Sequence, residues 1–253
     1  VLGVNLAVQS VVRQEAIKLA IPKDQRLTYK VVPFRLPHGA TDPLVLAGKE
    51  RAPIQVIERA HKDLGQLGVF WHTQGSGKSY SMVAFAEKVF RTISSKFTFV
   101  LMTDRVDLDD QIYKTFVGCG AADEQTPRAG SGKELRRLLA ENHRYIFSII
   151  HKFNQPIDPK QPYSDRDDII VISDEAHRTQ GGKLARNMRL ALPNAAFIGF
   201  TGTPLFKNDH FTKRLFGGYV SRYDFQRSVQ DGSTVKLVYD NRGQKLGIAR
   251  LDL

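Results

Sequence analysis

Five short runs of the chain are apolar almost without interruption: Leu67–Trp71, Phe97–Met102, Tyr145–Ile150, Ile169–Ile172 and Ala195–Phe200. β-Branched and aromatic residues dominate them, and strands covered on both faces read this way. Between them the apolar positions fall at helical spacing. Tyr80–Phe90 is one such stretch, and Val106–Phe116 is another, with Leu108, Ile112 and Phe116 on one face. A third runs through Leu135, Leu138 and Leu139, and Leu184–Leu192 is a fourth, stopped by Pro193. Ser131-Gly132-Lys133-Glu134 ahead of the third is a capping box, in which a hydroxyl and a carboxylate satisfy amides at a helix start. Strands alternating with helices predict an α/β fold, with a mostly parallel central sheet and helices on both faces.

The flanks carry weaker patterns. Val11–Ala20 reads as an amphipathic helix and Thr28–Val32 as a short strand. Pro33, Pro37, Pro43, Gly39 and Gly48 then break the chain into turns. The spacing of Ile54, Ile57 and Ala60 predicts a helix over Pro53–Lys62. Past Phe200 the pattern predicts short helices near Phe211–Phe216 and over Tyr223–Val229, then a strand over Val235–Tyr239.

The first strand with a chemical ending is Leu67–Trp71, which runs into His72-Thr73-Gln74-Gly75-Ser76-Gly77-Lys78-Ser79 and then the helix that begins near Tyr80. Strand, glycine-rich turn and helix is the setting of a phosphate-binding loop. Gly75 and Gly77 let main-chain amides curl around phosphate oxygens. The following helix adds the positive end of its dipole. Lys78 is placed to reach the β- and γ-phosphates, and the Ser79 hydroxyl to ligate Mg²⁺. His72 stands where the general GxxxxGK[ST] pattern has its first glycine. Gln55, 23 residues before Lys78, has an amide able to donate to and accept from an adenine edge.

Three further strands end in polar turns. Phe97–Met102 delivers Thr103-Asp104-Arg105; Asp107, Asp109 and Asp110 then suit the first turn of a helix. Ile169–Ile172 delivers Ser173-Asp174-Glu175-Ala176-His177. Two carboxylates after a buried strand are the partner that a phosphate loop needs for hydrolysis. Asp174 is expected to hold Mg²⁺ opposite Ser79, and Glu175 to orient and deprotonate the attacking water. His177 is expected beside the γ-phosphate. Ala195–Phe200 delivers Thr201-Gly202-Thr203, a hydroxyl-rich turn suited to coupling through hydrogen bonds to the acidic pair. These turns are expected at the carboxyl edge of the sheet, where open α/β sheets bind ligands.

The balance of 37 Lys and Arg against 26 Asp and Glu leaves a net charge of +11, which favours a polyanionic partner, nucleic acid first. Thr103, Arg105, Lys152 and Thr203 are the candidate contacts to its backbone phosphates. No apolar run has the length of a membrane span, so no membrane partner is expected. The single cysteine, Cys119, allows no internal disulfide, which fits a cytoplasmic protein. The first 49 residues hold no Asp followed by Glu-x-Lys on a strand, the pattern of a metal-dependent nuclease core; Glu15 and Lys18 have the wrong spacing for it.

Together, residues 72–79, Thr103-Asp-Arg-Val-Asp-Leu-Asp-Asp-Gln111, Asp174-Glu-Ala-His177 and Thr201-Gly-Thr-Pro204 resemble the first RecA-like domain of superfamily 2 helicases and translocases. Within that group the chain looks most like the motor (R) subunit of type I restriction-modification enzymes, from about Ile54 to Tyr239. The resemblance implies a RecA-like phosphate-loop domain over residues 50–239. Residues 1–49 are then a remnant or linker from a preceding domain, and residues 240–253 lead toward a second RecA-like domain. It implies ATP and Mg²⁺ as cofactors, with Thr73, Gln74, Gly75, Ser76, Gly77, Lys78, Ser79 and Tyr80 around the nucleotide. It implies double-stranded DNA as the track, and methyltransferase and specificity subunits as partners. A single motor domain lacking the second domain's arginine finger is expected to hydrolyse ATP weakly. The other readings are an RNA or single-strand helicase of the same superfamily, and a DNA-binding assembly module with ATP as a structural ligand.

Overall fold

The structure, a computed structural model, describes residues 2–32, 54–174, 183–203, 213 and 215–235. The chain opens with helix α1 (Leu2–Ala20) and a hairpin of β1 (Leu27–Val32) and β2 (Ile54–Arg59). The main sheet is built from β3 (Gln66–His72), β4 (Thr98–Thr103), β5 (Tyr145–Ile149), β6 (Ile169–Ser173), β7 (Ala196–Thr201) and β8 (Tyr219–Tyr223). The remaining α-helices among the described residues are α2 (Lys78–Thr92), α3 (Val106–Gly118), α4 (Gly132–Ala140), α5 (Lys183–Ala191) and α6 (Phe225–Gln230).

All six strands of the main sheet are parallel, in the order β5-β4-β6-β7-β3-β8. Alternation along each strand divides the core into two layers. Phe70, Phe99, Leu101, Phe147, Ile170, Ile172, Ile198 and Phe200 face α1, α2 and α3. Val69, Val100, Met102, Ile146, Val171 and Phe197 face α4 and α5. The four central strands are buried on both sides, which is why their sequences show runs rather than alternation. The expected α/β class with helices on both faces is what the chain adopts.

Three elements differ from expectation. The spacing from Pro53 predicts a helix, but residues 54–59 form β2, which pairs antiparallel with β1 in a sheet of its own. The Val-Ile pair in Ile54-Gln55-Val56-Ile57-Glu58-Arg59 is as good in a strand as in a helix, and pairing with β1 decides the outcome. Tyr219–Tyr223, which no pattern singled out, is the edge strand β8; the helix expected from Tyr223 begins only at Phe225, capped by Asp224. Helix α1 starts near Leu2, well before Val11. Its Val4, Ala7, Val8 and Val11 belong to the same core layer as Phe70 and Phe85. The helix expected near Phe211–Phe216 and the strand over Val235–Tyr239 lie largely outside the described residues, as do the turns over residues 33–53 and residues 240–253.

Helix α1 is also bound by polar groups. Gln14 is 1% exposed; its Nε2 donates to the carbonyls of Asp63 and Gln66, and its Oε1 accepts from Gly65 N at 2.8 Å. Lys18 pairs with Glu15 at 2.7 Å and donates to Asp167 O. Arg26 donates to Lys18 O at 2.6 Å and to Asp167 Oδ2 at 2.8 Å. These contacts lie at the edge where the strands begin.

Candidate functional site

Register places every motif on the opposite edge. Trp71 pairs with Thr201, His72 with Tyr223, and Met102 with Ser173. The turns after β3, β4, β6 and β7 therefore emerge side by side at the carboxyl ends of four adjacent strands.

The turn after β3 closes on itself before α2 begins. Ser76 N and Oγ both donate to Thr73 O, at 3.3 and 2.5 Å, and Lys78 Nζ reaches the same carbonyl at 3.4 Å. Gly75 and Gly77 hold φ of +80° and +76°, which L side chains tolerate poorly. Gly77 is also the residue from which α2 starts, so a left-handed residue points the first amides of a 15-residue helix back across the turn. A side chain on Gly75 would meet nothing within 4 Å; the space over the turn is open. Ser79 is the second residue of α2, and Tyr80 behind it is exposed. Gln74 is also exposed.

The turn after β7 lies against this loop. A Cβ on Gly202 would stand 3.4 Å from Lys78 Nζ and 3.7 Å from Gln74 N, so the two turns lie in van der Waals reach of each other. Thr201 is buried, and its Oγ1 accepts from Thr203 N at 3.2 Å, shaping the turn; Thr203 itself is exposed. Asp174 follows β6 directly. Its amide donates to Met102 O at 2.9 Å, and its Oδ1 is buried. Glu175, Ala176 and His177 lie outside the described residues.

His72 is not a free imidazole at the mouth of the loop. Its ring packs 3.9 Å from Phe70 and 5.5 Å from Tyr223, centroid to centroid, and its Nε2 shares a 2.9 Å hydrogen bond with Ser221 Oγ. Burial and the nearby Lys78 charge push its pKa down to about 4, so it is neutral at physiological pH. Thr73 N donates to Tyr223 O at 2.9 Å, which binds the next residue to β8 as well. A cavity of about 520 Å³ opens here, lined by Leu6, His72, Tyr219, Ser221, Tyr223 and Arg227. Reading the sequence missed this wall; the signal was the Tyr-Val-Ser-Arg-Tyr run after Gly217-Gly218, which has strand composition.

The other expected residues divide. Arg105 is exposed and engages Asp107 at 2.9 and 3.1 Å, a surface pair that exchanges readily. Lys152, on the 3₁₀ turn after β5, donates to Gly130 O. Thr103 is fully buried, and its hydroxyl donates to Arg105 O at 3.1 Å; it shapes the turn and offers no surface to a polymer. Gln55 pairs with Val31 on β2, and β2 joins the domain through Arg59, whose NH2 donates to Pro193 O on the far edge. Cys119 is exposed.

The hard oxygen donors of Ser79 and Asp174 fit Mg²⁺, which keeps water and substrate oxygens in its shell. Among the described residues no cluster of three or more His, Cys, Asp or Glu forms a protein-only cage.

A model of the SWI2/SNF2 ATPase family matches residues 50–252. The chain belongs to the SWI2/SNF2 ATPase family. Membership implies nucleotide use and fits the loop geometry. The chain is 46% identical over 197 residues to the type I restriction enzyme HindI endonuclease subunit of Haemophilus influenzae, covering 71% of this chain and 19% of that protein. It is 38% identical over 181 residues to the putative type I restriction enzyme MjaIXP endonuclease subunit of Methanocaldococcus jannaschii, covering 70% and 17%. It therefore spans about a fifth of the length of these curated relatives. The Pyrococcus furiosus Hef helicase domain superposes with a TM-score of 0.51 at 17% identity, over 68% of this chain and 38% of that one, which shows a shared RecA-like fold.

Proposed function

We propose that this member of the SWI2/SNF2 ATPase family is the ATP-driven motor domain of a type I restriction endonuclease subunit, which moves double-stranded DNA past a complex that also holds methyltransferase and specificity subunits. The observation that carries the reading is the contact of two motif turns: Gly202 lies against Lys78, on the edge that also bears Asp174. Amides of residues 75–79 and the Lys78 ammonium hold the triphosphate. Ser79 and Asp174 hold Mg²⁺, which when bound withdraws charge from the phosphate oxygens. Glu175 would take a proton from the attacking water, and His177 is assigned to the γ-phosphate side of the site. Thr201-Gly202-Thr203 is placed to feel the phosphate state through Lys78 and pass it to the exposed Thr203. Arg105, Lys152 and Thr203 contact DNA phosphates, so they contribute grip without reading sequence.

Calorimetry with ATP and Mg²⁺ tests this. Wild type is expected to bind and Lys78→Ala to lose binding, whereas Glu175→Gln is expected to bind and to lose turnover. Equal binding by Lys78→Ala would remove the phosphate-loop assignment. In the assembled enzyme, stimulation of hydrolysis by duplex DNA and not by RNA is expected; the opposite preference would favour an RNA helicase. An unchanged rate in Glu175→Gln would favour ATP as a structural ligand.

A further inference from the structure

The residue at which a strand turns into a phosphate loop sets the direction of the amides that follow. In this chain that residue is His72, and β8 grips it twice: through Ser221 Oγ at 2.9 Å from Nε2, and through Tyr223 O, which accepts from Thr73 N at 2.9 Å. The first turn of α1 closes over the same point. A Cβ on Gly3 would stand 2.4 Å from Ser221 Oγ and 3.0 Å from the Phe70 ring. Asn5 Oδ1 on that turn accepts from Lys88 Nζ on α2, the helix that the loop opens. The far end of α1 is held at the other sheet edge by Gln14, Lys18 and the adjoining Arg26. Helix α1 is thus a strap across one face of the sheet, anchored at both ends, and it precedes the segment that the family model matches.

We propose that α1 sets the nucleotide affinity of the phosphate loop through the contact chain Gly3–Ser221–His72, with Ser221 and His72 as positioning residues. The proposal rests on the reading of residues 73–79 as the phosphate site. A loop whose amides already point at the anion binds it without the cost of ordering, so displacing the entrance weakens binding rather than chemistry. Removing the Ser221 hydroxyl leaves a half-buried imidazole nitrogen without its partner. Adding a side chain at Gly3 has to move Ser221, since 2.4 Å is closer than any real contact.

The test measures ATP·Mg²⁺ affinity, KM and kcat in the same 253-residue chain carrying Ser221→Ala, Ser221→Thr or Gly3→Ala. Leu139→Ala, a core change on the opposite sheet face, serves as the stability control. Ser221→Ala and Gly3→Ala are expected to weaken binding about five- to tenfold and to raise KM, with kcat within about twofold. Ser221→Thr restores affinity because it keeps the hydroxyl. Leu139→Ala lowers the melting temperature and leaves affinity unchanged. Wild-type binding with Ser221→Ala and Gly3→Ala both within about twofold of it would overturn the coupling alone. Equal loss of affinity in Leu139→Ala would overturn it too, by reducing the effect to general instability. No binding by the wild type would instead overturn the phosphate-site reading beneath it.

Discussion

Single residues at the ligand edge show how local context overrides residue type. Thr103 and Thr203 both follow strands and both carry a hydroxyl, yet Thr103 is sealed beneath its turn and Thr203 is exposed. Only Thr203 can meet a polymer. His72 is the other case. A histidine held neutral by burial adds to stability above its ordinary pKa. The unfolded chain takes up a proton near pH 6.5, whereas the folded one resists until about pH 4. Stability from this group is therefore full above about pH 6.5 and is lost as pH falls toward 4. Thermal unfolding of wild type and His72→Asn between pH 7.5 and 4.5 checks it. The wild type is expected to lose more stability on acidification than the variant, and parallel curves would refute the assignment.

At the scale of elements, helix starts and edges carry the local signals. The capping box ahead of α4 forms as expected at Ser131, whose Oγ accepts from Glu134 N at 3.1 Å. The Glu134 carboxylate reaches one residue further back than expected and accepts from Gly130 N at 2.8 Å. Ser131→Ala should cost about 1 kcal/mol in a denaturant titration. The polar dock of α1 should cost more. Gln14→Ala removes the acceptor of the Gly65 amide and a donor to the Asp63 and Gln66 carbonyls in a buried place, for a loss of about 2–3 kcal/mol. A loss under half of that would mean that α1 is held by its apolar face alone. Strand β8 depends on close approach to β3: at Gly68, with φ of +107°, a Cβ would stand 2.9 Å from Val220 Cβ. Gly68→Ala should strip β8 from the sheet edge, seen as faster amide exchange over residues 219–223 with β4–β7 unchanged.

For the whole molecule, charge and domain number govern behaviour. The excess of 11 positive charges predicts duplex affinity that falls steeply with salt. Arg105→Ala should lower that affinity equally on all sequences and reduce the salt slope by about one phosphate contact. A changed sequence preference would place Arg105 in base readout instead. In related phosphoryl-transfer enzymes an arginine reaching in from a neighbouring unit contributes on the order of 10³-fold or more in rate. Hydrolysis by this segment alone is therefore expected to lie on the order of 10³-fold or more below that of an assembled motor. Fast DNA-stimulated turnover by the segment would contradict it.

The sequence by itself determined the class of fold, the four motif turns and their attachment to strand ends. Those signals are local: apolar runs long enough for a buried strand, glycines where φ must be positive, and carboxylates directly after aliphatics. Tertiary structure decided whatever depends on a partner distant in the chain. Residues 54–59 became a strand because β1 was there to pair with them. Tyr219–Tyr223 became an edge strand because Gly68 leaves room beside β3. Helix α1 joined the ATPase core because its apolar face meets the sheet and its Gln14 accepts from Gly65 N, 51 residues away. The order β4-β6-β7-β3, which sets Lys78 beside Gly202, is written in no single segment; it follows from packing two helical layers against one parallel sheet.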